Sequence, residues 1–198
     1  MKTFVTADIH FNHVSCIKYC PDRWIDNRGF PEPDSIDVQT MNEKIIENWN
    51  KVVGVFDRVY ILGDVAMGKI AEAPKCVSRL NGIKHLILGN HDKTIVKLPE
   101  FSDLFASSQD YLEFTYRKEG IKQPIVMSHF PFHSWNGQHH GTIMLHGHLH
   151  SPPDKLMIDP ERRRMDVGLD GHNLTPWNLD EVVEMMRKIP VSKNHHDR

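Results

Sequence analysis

The spacing of apolar and polar residues predicts most of the elements of this chain. Lys2 to Asp8 (KTFVTAD) is rich in β-branched and aromatic residues and reads as a strand. The stretch CPDRWIDNRGFPEPDS, with three prolines and one glycine, reads as a loop. In SIDVQTMNEKIIENWNKVV, Met41, Ile45, Trp49 and Val52/Val53 recur at helical spacing, and Ser35 or Asp37 is placed to cap the helix. Arg58 to Leu62 (RVYIL) is a buried strand, EAPKCVSRL a second helix with Pro74 in its first turn, and IKHLIL a third strand. Further on, DYLEFTYRKEGIKQPIVMSH predicts two antiparallel strands joined at Gly120. GTIMLHGHLH predicts a strand entering a loop, RRRMDVGLD a strand, and NLDEVVEMMRKI a closing helix with Leu179, Val182, Val183 and Met186 inward. The order is βαβαβ and then mainly β. It predicts one α/β sandwich with mixed sheets over residues 1–189, followed by a polar tail over 190–198.

Composition narrows the function classes. No stretch of the 198 residues approaches the roughly 20 apolar positions a membrane span requires, and MKTFVTAD shows no signal-peptide pattern. A formal net charge of −2 weighs against a dedicated nucleic-acid binder, and the short run ERRRM reads as a solvated turn. Three cysteines do not make a disulfide framework, so a cytoplasmic, reducing location is expected. In HVSCIKYC, Cys16 and Cys20 read as buried or half-buried free thiols beside His13.

Histidine changes the picture. Seven of the 14 histidines lie between His129 and His150, and MLHGHLH places His146, His148 and His150 on alternate residues. In an extended chain all three would share a face. Each of the first three strands also ends in polar residues: Asp8 and His10, Gly63 and Asp64, Asn90 and His91. Later strands end in His129 and in His148 and His150. Strand carboxyl ends gather on one edge of an α/β sheet, where ligands bind. Carboxylate, amide and imidazole donors without thiolate suit two divalent cations such as manganese, iron, zinc, nickel or cobalt. Two aspartates offset only part of the charge of two dications, which leaves a pocket suited to a phosphate ester.

The series Asp8-x-His10, Gly63-Asp64, Gly89-Asn90-His91-Asp92, His129 and Gly147-His148-x-His150 resembles the calcineurin-like metallophosphoesterases, with all five blocks in order. The resemblance implies a four-layer α/β/β/α sandwich of two mixed sheets. It implies that Asp8, His10 and His150 hold one metal, that Asn90, His129 and His148 hold the other, and that Asp64 bridges both together with the attacking water. His91 would assist the leaving group, and manganese is the metal first expected. The sequence GDVAMG departs from the protein phosphatases of that superfamily, and His91 departs from its lipid A precursor hydrolases. Compact stand-alone phosphoesterases are the nearest pattern. They imply a phosphodiesterase for small nucleotides such as 2′,3′-cyclic nucleotides, with a monoesterase, a nuclease or a non-catalytic interaction module as alternatives.

Other residues are open to two readings. Asp92 is expected to orient its neighbours, and His146 to pack or to support a ligand. His13 is placed to reach substrate or to begin the loop. His133, Trp135, His139 and His140 form a segment that either stacks on a base or packs on itself. Arg23 and Arg28, in the loop from Pro21 to Ser35, are candidates to meet a second phosphate.

Overall fold

The computed structural model describes residues 1–16, 20, 23, 38–151 and 157–191. The first half holds strand β1 (Thr3–Thr6), helix α1 (Val38–Val52), β2 (Arg58–Leu62), α2 (Ala73–Val77), β3 (Ile83–Ile87), α3 (Phe101–Leu104) and β4 (Ser107–Gln109). The second holds β5 (Tyr111–Lys118), β6 (Ile121–Ser128), β7 (Ile143–His146), β8 (Ile158–Asp159), β9 (Arg164–Asp166), β10 (Trp177–Asn178) and α4 (Leu179–Arg187). The caps predicted for α1 at Ser35 and Asp37, the role of Arg28, and the tail from 192 onward lie outside the described residues.

Helix α1 forms on its apolar stripe: Met41, Ile45, Ile46 and Trp49 are buried against Phe4, Val59, Ile61 and Leu86 of the first sheet. Val53 is buried with them, whereas Val52 falls off the apolar stripe and points outward at 39% exposure. The hairpin between β5 and β6 turns through Glu119 and Gly120, both with positive φ, the two-residue turn that matches strand twist.

Two five-stranded mixed sheets result, in the orders β10-β1-β2-β3-β4 and β5-β6-β7-β9-β8. Strands β1 to β4 run parallel, as do β6, β7 and β9. The sheets face each other across Val5, Leu62 and Ile87 on one side and Ile125, Met127, Leu145 and Met165 on the other. Helix α4 closes this layer with Leu179, Val182, Val183 and Met186, the four residues its periodicity predicts. The expected sandwich is thus the fold. Its outer layer over the second sheet is thin: Trp135 and Phe132, in the segment before β7, cover Val126 and Met144. Strands β4, β8 and β10 and helix α3 have two to four residues each, too few to carry a period. Their partners in space define them.

Candidate metal centre

The candidate donors follow β1, β2, β3, β6 and β7, and the residues after these strands are locked together by their backbones. The Asp8 N–H donates to the Gly63 carbonyl (3.0 Å) and the His10 N–H to the Asp64 carbonyl (3.0 Å). The Gly147 N–H donates to the His129 carbonyl at 3.0 Å, which joins the ends of β6 and β7. A side chain at Gly147 would collide with Ala7 Cβ and with Asp8 Oδ2, so only glycine lets these loops meet.

The chain leaves β1, β2 and β7 through left-handed residues. Asp8 (φ 57°), His10 (φ 53°), Asp64 (φ 55°), His148 (φ 73°) and His150 (φ 50°) all lie there. Such backbone costs about 1–3 kcal/mol per residue and collects where surrounding structure holds side chains in place for function. It also corrects the picture of three histidines on one extended face. β7 stops at His146, which is buried and hydrogen-bonded to its neighbour's carbonyl (Nδ1 to Gly147 O, 2.8 Å). The left-handed turns at His148 and His150 then re-aim those two rings.

The structure brings the aspartates and most of the imidazoles together. Asp64 Oδ2 is faced by three Nε2 atoms, those of His10 (3.6 Å), His129 (3.6 Å) and His91 (3.9 Å). His150 Nε2 stands 3.1 Å from His10 Nε2 and 3.8 Å from Asp8 Oδ1. Asn90 Oδ1 lies 2.9 Å from His129 Nε2. Donor atoms of Asp8, His10 and His150 form one cluster within 4.8 Å, and those of Asp8, Asp64 and His129 another. Asp8 therefore reaches both groups. His148 stands further out, its ring 5.1 Å from that of His129 and edge-on to it.

These donors fit divalent cations. Two donors on one cation, each about 2.1 Å from it, lie roughly 3–3.5 Å apart, close to the separations here. Buried Asp8 Oδ1 has no hydrogen-bond partner, while its other oxygen accepts the His148 N–H at 2.8 Å. An orphaned carboxylate oxygen at full burial is costly unless something positive meets it.

Protonation follows the same logic. Burial drives the His10 pKa down to about 2, helped by the charge of Arg23, so His10 is neutral with a free lone pair. Burial raises Asp8 well above the usual carboxylate range. His150 loses charge stabilisation to burial, but its hydrogen bonds to Asp170 and Cys20 and the Asp8 carboxylate outweigh that loss. Its pKa is pushed up to about 10. As an imidazolium it donates Nδ1–H to Asp170 Oδ2 (2.8 Å) and Nε2–H towards His10.

Asp170 is the residue that sequence reasoning passed over; its only signal was its place at the end of DVGLD. It orients His150, and it is itself gripped by Arg23, whose Nε and Nη2 donate to the two carboxylate oxygens at 2.6 and 3.0 Å. Arg23 is fully buried and also donates to the carbonyls of Ile9 and Asp8, so it clamps the centre and does not meet a second phosphate. Asp92 accepts the N–H groups of Asp64, Val65 and Gly89 and holds no position among the donors. His13 Nδ1 pairs with buried Cys16 Sγ at 3.1 Å, and Cys20, half-buried, sits 3.6 Å from Asp170 Oδ2; all the cysteines are free. Trp135 does not stack on a ligand: its ring is buried and its Nε1–H donates to the Thr142 carbonyl at 3.0 Å. His133, His139 and His140 are exposed on the same outer segment.

Comparison with known proteins places the chain. No family model matches it. It is 32% identical to the uncharacterized protein MJ1445 of Methanocaldococcus jannaschii, across 99% of this chain and 97% of that one. It is 32% identical to the Gene 66 protein of Mycobacterium phage D29, across 95% of this chain and 97% of the phage protein. The chain belongs to the family that these two proteins represent. Among solved structures, AQ665 from Aquifex aeolicus, a protein of unknown function, superposes with a TM-score of 0.66 at 19% identity, covering 93% of this chain and 98% of its own. That likeness is one of fold.

Two outcomes test this geometry. Cation binding at pH 7 should release at least one proton, because His150 would have to give up its Nε2 proton to bind and its pKa of about 10 keeps it protonated until then. Calorimetric titration of manganese into metal-free protein, in buffers of different ionisation enthalpy, reads that proton directly. Asp170→Ala should cost about 3–5 kcal/mol in urea unfolding, since it strands the buried Arg23 charge.

Proposed function

We propose that this protein is a metal-dependent hydrolase of phosphate esters, and that its substrates are small nucleotide phosphodiesters such as 2′,3′-cyclic nucleotides. The observation that carries the reading is the single Asp64 oxygen with three imidazole nitrogens from three strand ends 3.6–3.9 Å away. Asp8, His10 and His150 would hold one cation, Asn90, His129 and His148 the other, and Asp64 would touch both. Two bound dications, manganese first among them, would supply Lewis-acid charge for the phosphoryl oxygens and acidify a water.

The chain's own residues do the rest. Neutral His10 binds without first losing a proton, and Asp170 keeps the His150 ring aimed by holding its Nδ1–H. His91 has a side chain 37% exposed at the rim, so an ester above the cations can reach it. As the water oxygen bonds to phosphorus and the bond to the leaving oxygen breaks, His91 delivers a proton to that oxygen. Such assistance is worth about 10²–10⁴-fold. The free cysteines fit the cytoplasmic location proposed here, and among the described residues no helix is long and apolar enough to cross a membrane.

The test is hydrolysis by metal-stripped protein with and without manganese. The panel is p-nitrophenyl phosphate, its bis-ester, and 2′,3′- and 3′,5′-cyclic AMP. Manganese-dependent cleavage of the bis-ester and of a cyclic nucleotide is expected. Turnover of the monoester alone would move the substrate class, and silence with two metals bound would sink the catalytic reading. His91→Ala should lose at least about 100-fold in kcat with metal still bound. Asp64→Asn should weaken both cations together, as read by metal titration.

A further inference from the structure

Beside the metal centre lies a cavity of about 530 Å³, within the range of small-molecule sites. It shares Asn90 and Gly89 with the centre, so a group seated in it adjoins the cation that Asn90 would hold. Its other walls differ in kind. Phe130 is 44% exposed, and its ring packs edge-on to the rings of His129 (5.0 Å) and His148 (4.9 Å), which fixes it at the rim. Leu88 and Val96 add half-buried apolar surface. Lys93 and Lys97 supply two positive charges, and Asp110 opposes them with one negative charge. Among the described residues neither lysine makes an ion pair.

An exposed aromatic ring held against two histidines has apolar surface to cover and a flat face to offer. Every nucleobase carries a matching π-face. Two unpaired lysines with one aspartate leave a net positive charge that a neutral leaving group would not use. We propose that this cavity binds the nucleoside side of the substrate, with the base on Phe130 and a further phosphate, beyond the scissile one, against Lys93 and Lys97. The assignment rests on the phosphoesterase reading above and deepens it. The preferred substrates are phosphodiesters of a nucleoside that carries a second phosphate, and compact cyclic nucleotides fill the cavity only in part. Trp135, the ring that the sequence offers for stacking, is buried on the outer face of the second sheet, and Phe130 takes that place.

The test compares three substrates of the manganese-loaded protein that share one leaving group. They are methyl p-nitrophenyl phosphate, thymidine 5′-(p-nitrophenyl phosphate), and the same thymidine ester with a 3′-phosphate. The ratio of kcat/KM between the thymidine and methyl esters reads the base, and Phe130→Ala should cut it about tenfold. The ratio between the two thymidine esters reads the second phosphate. It should exceed one by about three- to fivefold, fall to one in Lys93→Ala/Lys97→Ala, and shrink at about 1 M salt. A wild-type ratio of one, or a gain that survives loss of both lysines, overturns the phosphate site. A base ratio unmoved by Phe130→Ala overturns the stacking. If the wild type cleaves none of the three, the phosphoesterase reading fails instead. Calorimetric binding of thymidine 3′,5′-bisphosphate then decides the cavity alone: binding weakened in both variants supports it, and no binding, or binding unchanged in them, overturns it.

Discussion

The centre depends on one buried carboxylate that touches no candidate ligand atom. Asp92 is 1% exposed, and its two oxygens accept three backbone N–H groups, from Asp64 (2.8 Å), Val65 (3.0 Å) and Gly89 (2.8 Å). Burial raises its pKa, and those three donors pull the other way. A hydrogen bond to a charged acceptor contributes about 1.5–3 kcal/mol, enough to hold strained backbone. The strap ties the loop after β2 to the loop after β3, which sets Asp64 on its left-handed φ and brings the His91 N–H to Asp64 Oδ1 at 3.0 Å. With those loops fixed, Gly63 can lie against the His129 ring, where any Cβ would come within 2.5 Å of Nδ1. His129 in turn is oriented by the Leu62 carbonyl, 2.8 Å from Nδ1, which turns Nε2 to the centre.

A second support works from the opposite side. Buried Arg23 and Asp170 and half-buried His150 form a relay of charge in which each member is satisfied by the next. The aspartate stays ionised, held well below the ordinary carboxylate range against the pull of burial by Arg23 and His150. The result is a set of donors aimed by the fold's own hydrogen bonds, at the expense of several left-handed residues and one orphaned carboxylate oxygen. Preorganisation of this kind puts the cost of ordering into folding, not into binding. The rim above the donors is left to the partly exposed His91 and Phe130 side chains, which would meet a substrate in the proposed reading.

Much of the architecture was legible in the sequence. The periodicity of Met41, Ile45 and Trp49 predicts α1, the apolar runs predict β1, β2 and β3, and Gly120 marks the β5–β6 turn. Short elements were not legible, because β8 and β10 have two residues each and exist only through pairing with β9 and β1. Residue type and strand-end position were enough to nominate Asp8, His10, Asp64, Asn90, His91, His129, His148 and His150, and the fold gathers the ends that carry them on one rim. Spacing misled where it assumed extended chain, at His148 and His150; Arg23 is buried and does not meet a second phosphate, and Trp135, open between stacking and packing, packs.

The division has a physical basis. Hydrophobic period and strand-end chemistry are local properties, so the sequence by itself determined the class of fold and the kinds of donor delivered to one edge. The partners of Asp92, Arg23 and Asp170 and the exposure of Phe130 depend on contacts between residues far apart in the chain. The left-handed turns at His10, His148 and His150 also need that packing to repay their strain. Only the closing of two sheets face to face decided those.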